Sequence, residues 1–157
     1  MTNELQLLIE SLEKKKEILT DILTKSRLQG EIALADNFEA EQFDLLVDEK
    51  SELLIQMDEV DQGFDATFNR IREELLSDKD TYKKEIARMQ ELIRETVDLG
   101  AQIHAMEART KDSVSRIIKV NRQELLKRKA ASKSVGDYYK ANRQLDFVGS
   151  YFIDQKK

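Results

Sequence analysis

"LLSDKD", residues 75–80, lies between two long stretches of helical periodicity and contains neither glycine nor proline. Read as helix, it would fuse its neighbours into one rod from about residue 39 to 130, on the order of 140 Å long. Such a rod would leave much of its apolar stripe in water, and protein helices draw most of their stability from burying that stripe. Read as a break, Ser77 or Asp78 caps the helix that follows, with Asp80 in its first turn near the positive end of the macrodipole. The break is the better reading, and it predicts a hairpin.

Before the break, Phe43, Val47, Leu54, Met57, Phe64, Phe68, Ile71 and Leu75 recur in steps of three and four or their sums. Lys50 and Asp61 occupy seam positions in the same series, and Gly63 falls mid-pattern, where it costs about 1 kcal/mol relative to alanine. After the break the seam runs through Ile86, Met89, Ile93, Thr96, Gly100, Ile103, Thr110, Val114, Ile117, Asn121 and Glu124. Leu92, Met106, Ile118 and Leu125 widen it. The small residues Thr96, Gly100 and Thr110 predict a close helix approach there.

Further out, Leu5, Leu8, Leu12, Leu19 and Ile22 open the chain at helical spacing, supported by Ile9, Ile18 and Leu23. Lys14, Lys15 and Lys16 interrupt this stripe, and their stems are expected to lie along apolar surface with the ammonium groups in water. The pattern fades through Ser26, Gln29 and Gly30 and stops at "ADNF", where Asp36 or Asn37 is the expected cap. Helices are therefore expected over about 4–35, 39–76 and 79–131. No apolar run has a period of two, so no sheet is expected. The fold class is all-α: an antiparallel bundle of three long, coiled-coil-like helices, residues 1–131, with an extended third helix. Residues 132–157 form an irregular or short-helical tail in this reading.

Composition excludes several classes. Among 157 residues, 36% are charged, none is Pro, Trp or Cys, and aromatics are 6%. That is the profile of long helices, with no disulfide framework and no thiol chemistry. No stretch approaches the ~20 apolar residues of a membrane span, and "MTNELQLLIESLEKKK" lacks the apolar run of a signal peptide, so a cytoplasmic location is expected. The net charge of −5 is uneven: residues 1–110 carry 14 Lys and Arg against 26 Asp and Glu, residues 111–157 carry 12 against 5. A basic end can attract acidic partners, membranes or nucleic acid, but no recognisable nucleic-acid module accompanies it.

Nothing in the chain points to catalysis. A di-metal carboxylate bundle needs paired Glu-x-x-His motifs, and the single histidine, His104, has Ala101 three positions before it. His104 reads as a half-buried packing residue. There is no Gly-rich phosphate loop and no Ser-His-Asp pattern, so neither enzyme activity nor a cofactor or metal is expected.

Binding is a better fit. With the hairpin near residues 77–79, residue 39 falls opposite about residue 117, and the third helix runs on past the cover of the second. Ile117, Ile118 and Leu125 lie at or beyond that edge, and Val114 lies one turn before it. The tail that follows holds five of the ten aromatic residues: Tyr138, Tyr139, Phe147, Tyr151 and Phe152. Each ring can bury on the order of 150–250 Å², enough together for a partner interface. These nine residues are the candidate partner-binding set.

The order of elements resembles a known family. "LLIESLEKKKEILTDIL" (7–23), then "LADNFEAEQFDLLVDEKSELLIQMDEVD" (34–61) with its Lys50-x-x-Leu53-Leu54 core, then a long third helix and a Tyr-containing tail, resemble the FlgN-type flagellar export chaperones. The FliT-type chaperones of the filament cap share the composition. The resemblance implies a cytoplasmic helical protein that escorts hook-filament junction (hook-associated) proteins to the flagellar type III secretion apparatus and meets export-apparatus components there. It implies no nucleic acid and no membrane insertion. The competing reading from the residues alone is a structural coiled coil that self-associates, as a homodimer, through the same seam.

Overall fold

The computed structural model describes residues 1–120, in which α1 spans Thr2–Leu34, α2 Ala40–Ser77 and α3 Lys83–Val120. The hairpin expected at LLSDKD is present, as a turn over 78–82. Its chemistry differs from expectation. Ser77 closes α2 instead of opening α3, its hydroxyl donating to the Glu74 carbonyl at 3.0 Å, and Asp78 is the residue after the helix. A serine near a helix end can satisfy a backbone group on either side, and here the carbonyl side wins.

The first turn is also built differently. Neither Asp36 nor Asn37 caps α2; Glu39 stands at its N-cap and makes no side-chain cap bond. What fixes the entry is apolar. Phe38, just outside the helix, packs on Phe43 in its second turn, ring centroids 5.5 Å apart, the arrangement of a hydrophobic staple.

Side-chain pairs give the directions. Lys15 meets Asp61 and Gln29 meets Phe43, so α1 and α2 are antiparallel. Lys16 meets Glu95 and Ser26 meets Glu107, so α1 and α3 are parallel. Helix α1 packs along both others, while no Cα of α2 comes within 8 Å of one of α3. It is the central element, and α2 and α3 meet only through side chains reaching across its flank.

The core is layered. One apolar cluster joins Leu5, Leu8 and Leu12 to Phe64, Ile71, Leu75, Met89 and Leu92 near the α2–α3 turn. A middle cluster joins Ile18, Leu19, Ile22 and Leu23 to Leu54, Met57 and Ile103. A small distal cluster holds Ala33, Phe43, Val47 and Val114 beside the α1–α2 turn. Burying each large side chain stabilises by about 1.5–3 kcal/mol. Between the clusters lie buried polar residues: Lys15 and Asp61 in one gap, and Ser26, Gln29, Lys50 and Glu107 in the other.

Candidate functional site

The fading of the α1 stripe at Ser26 and Gln29 marks the second polar layer rather than a helix end. Lys50 reaches from α2, donating to Gln29 Oε1 at 2.7 Å and to Glu107 Oε1. Ser26 donates to the same Glu107 oxygen at 2.7 Å, and Gln29 Nε2 donates to the Phe43 carbonyl at 3.2 Å. Burial pushes the Lys50 ammonium down to about 8, with Glu107 opposing that shift. Glu107 falls between Ile103 and Thr110 of the α3 seam, a position that the sequence analysis does not single out. It is 2% exposed, and its Oε2 has no hydrogen-bond partner among the described residues.

The first polar layer corrects the expectation for Lys15. Its ammonium does not reach water: Lys15 is 3% exposed and pairs with Asp61 at 3.1 Å. Lys14 is exposed, and Lys16 bridges to Glu95 of α3 at 2.9 Å. Asp61 was already legible as a charged seam residue.

The distal end carries the expected partner-binding residues that are described. The Lys50–Glu107 pair sets the α2–α3 level; ten residues back along α2 and ten forward along α3 bring Ala40 level with Ile117. Helix α3 therefore continues past the start of α2, as the sequence suggested. Ile117 is half-buried, Ile118 is 40% exposed and Val120 is 80% exposed. Val114 is different. At 2% exposure, packed with Ala33, Phe43 and Val47, it is a core residue, because it points into the bundle one turn below the edge of α2's cover. Leu125, Tyr138, Tyr139, Phe147, Tyr151 and Phe152 lie outside the described residues. Leu34, which the sequence reading passed over, adds a 75% exposed side chain at the end of α1. Its signal was its place just after the last seam residue of α1.

Beside this end, α1 and α3 enclose a cleft of about 420 Å³ to which α2 contributes no residue. Arg27 and Leu34 border it from α1, Arg109 and Arg116 from α3. Gly30, Met106 and Thr110 also line it, and a Cβ on Gly30 would come within 3.4 Å of Met106 Sδ and Thr110 Oγ1. Here is the close approach of helices, and it corrects the expectation at Gly100, where an added Cβ would meet nothing within 4 Å.

No protein-family model, curated protein or solved structure matches this chain. The geometry stands alone. Among the described residues no group of His, Cys, Asp and Glu is placed to hold a metal ion, and no helix is long and apolar enough to cross a membrane. His104 is half-buried on α3.

Proposed function

We propose that this protein is a flagellar export chaperone of the FlgN type, which binds hook-filament junction proteins and delivers them to the flagellar type III secretion apparatus. One observation carries the reading: among the exposed large apolar side chains, which elsewhere include Leu7, Ile55 and Leu76, Leu34, Ile118 and Val120 lie at the end where α3 outruns α2. Exposed apolar side chains at a helix end that its neighbour leaves uncovered favour a helix-in-groove partner, whose apolar face is masked without catalysis. The resemblance of residues 7–23 and 34–61 to those chaperones supplies the identity of the client. The tail aromatics belong to the same proposed surface, as does a cytoplasmic location.

Sedimentation of the full chain with and without a purified hook-filament junction protein tests this. A 1:1 complex is the expected result. A tight dimer that does not yield to the client would favour the self-associating coiled coil, which the same apolar end would also serve.

A further inference from the structure

The cleft between α1 and α3 differs from the rest of the molecule in charge. Over residues 1–120 the chain carries 27 acidic against 17 basic residues, yet three arginines, Arg27, Arg109 and Arg116, border this cleft. None of the three forms an ion pair with a carboxylate among the described residues. Arg109 and Arg116 instead donate through Nε to carbonyls of their own helix, Ala105 at 3.3 Å and Asp112 at 3.4 Å. That bond employs one edge of each guanidinium and leaves its terminal nitrogens, the fork that grips a carboxylate, without such a partner among the described residues. Two acidic residues, Glu31 and Asp112, also border the cleft, so its charge is mixed with a basic excess. Between residues 109 and 119 α3 adds Lys111 and Lys119, against Asp112 alone.

The rest of the lining is apolar or small. Leu34 and Met106 supply apolar surface, and Gly30 keeps the helices close at its base. From Met106 to Arg116 the cleft follows α3 for about 15 Å, close to three helical turns. It lies on the side of α1 and α3 that α2 does not line, so an added helix would complete a four-helix arrangement.

From this pattern we infer that the α1–α3 cleft is a docking groove for an acidic amphipathic helix, with apolar anchors on Leu34 and Met106 and carboxylates on Arg27, Arg109 and Arg116. The inference rests on the chaperone reading for the identity of the partner, but not for the chemistry of the groove. It assigns the client segment a sign of charge: its anchors at i, i+3, i+4 and i+7 are flanked by Asp or Glu, not by Lys or Arg.

Two fluorescent synthetic peptides test it with the full chain. Both carry the same helical leucine face; one has glutamates flanking it, the other lysines. Fluorescence anisotropy should show the glutamate peptide binding at least tenfold more tightly, with the preference shrinking as salt rises. Arg109→Glu with Arg116→Glu should abolish that preference while circular dichroism stays unchanged; both side chains are exposed. If the reversal disturbs folding, Arg27→Gln with Arg116→Gln provides the same comparison. Equal binding of the two peptides, or a preference that survives the arginine substitutions, would overturn the groove. So would peptide binding that weakens as protein concentration rises, since a second copy would then be the occupant. Failure to capture a hook-filament junction protein, with the peptide preference intact, would overturn the chaperone reading and leave the groove standing.

Discussion

Lys50 and Glu107, fifty-seven residues apart in sequence, form an ion pair inside the bundle at 5% and 2% side-chain exposure. The pair joins two helices whose backbones stay apart, and Gln29 and Ser26 of α1 complete its hydrogen bonds. Buried pairs of this kind add little net stability against apolar replacements of similar volume, yet breaking one leaves an uncompensated buried charge. Lys50→Met should therefore lose about 3–5 kcal/mol in urea unfolding. Lys50→Met with Glu107→Leu should recover more than half of that loss. Full recovery is not expected, because Gln29 Oε1 and Ser26 Oγ lose the partners they have in the parent chain.

The Lys15–Asp61 pair makes stability depend on pH in two windows. Burial pushes the Asp61 carboxyl up to about 6 from 3.8, and the Lys15 and Lys50 ammonium groups down to about 8 from 10.5. Between pH 3.8 and 6 the folded chain holds the extra proton on Asp61, so that residue's contribution falls as pH rises. Between 8 and 10.5 the unfolded chain holds the extra protons on the lysines, so their contribution rises with pH. Comparing urea midpoints across pH for the parent and for Lys15→Met with Asp61→Leu isolates the pair. The variant should lack the acid-side fall from Asp61 and keep only the Lys50 part of the alkaline rise. Parallel curves for the two proteins would refute the assignment.

Gly63 and Gly100 sit in helix interiors where an added Cβ meets nothing within 4 Å. Alanine at either site should stabilise by roughly 0.5–1 kcal/mol through backbone entropy. Gly30→Ala should gain less, since its Cβ would touch Met106 and Thr110 at 3.4 Å. Chemical denaturation of the three single variants ranks them directly.

Leu34→Asp with Ile118→Asp places charge on the exposed distal end and not in the core. Helix content should be kept, and under the chaperone proposal affinity for a hook-filament junction protein should fall at least tenfold, about 1.4 kcal/mol. A chain ending at Ala131, without the five tail aromatics, should lose affinity by a similar factor. Titration calorimetry against the same client checks both.

Much of the fold could be read from the chain because periodicity reports burial directly. The series through Leu5, Phe43 and Met89 marked three helices and the hairpin between the second and third. What periodicity could not report was hydrogen bonding. Ser77 was legible as a capping residue, but which helix it would serve depends on backbone geometry that the sequence does not show. Lys50 and Asp61 stood out as charges on apolar seams. Their partners Glu107 and Lys15 did not, since a pair is a property of two helices and the seam is a property of one. At the distal end the outrunning of α3 followed from helix lengths alone. Val114, counted with the partner-binding residues, lies one turn before the edge of α2's cover, and one turn is the distance over which exposure changes to burial. The cleft arginines look in sequence like any solvated helix face.

The central position of α1 has a consequence for how the chain is made. Its contacts with α3 join residues about eighty positions apart, as Ser26 and Glu107 show with a separation of 81. Contacts of such long sequence separation are slow to form compared with those of a local hairpin. During synthesis α1 has only α2 to pack against until α3 follows, and its cover then arrives in order, Met89 and Leu92 on Leu5, Leu8 and Leu12 before Ile103 and Glu107 further along. Through that interval the apolar surface of α1 that faces α3 has no partner from α2, so the central helix is the last of the three to be fully covered.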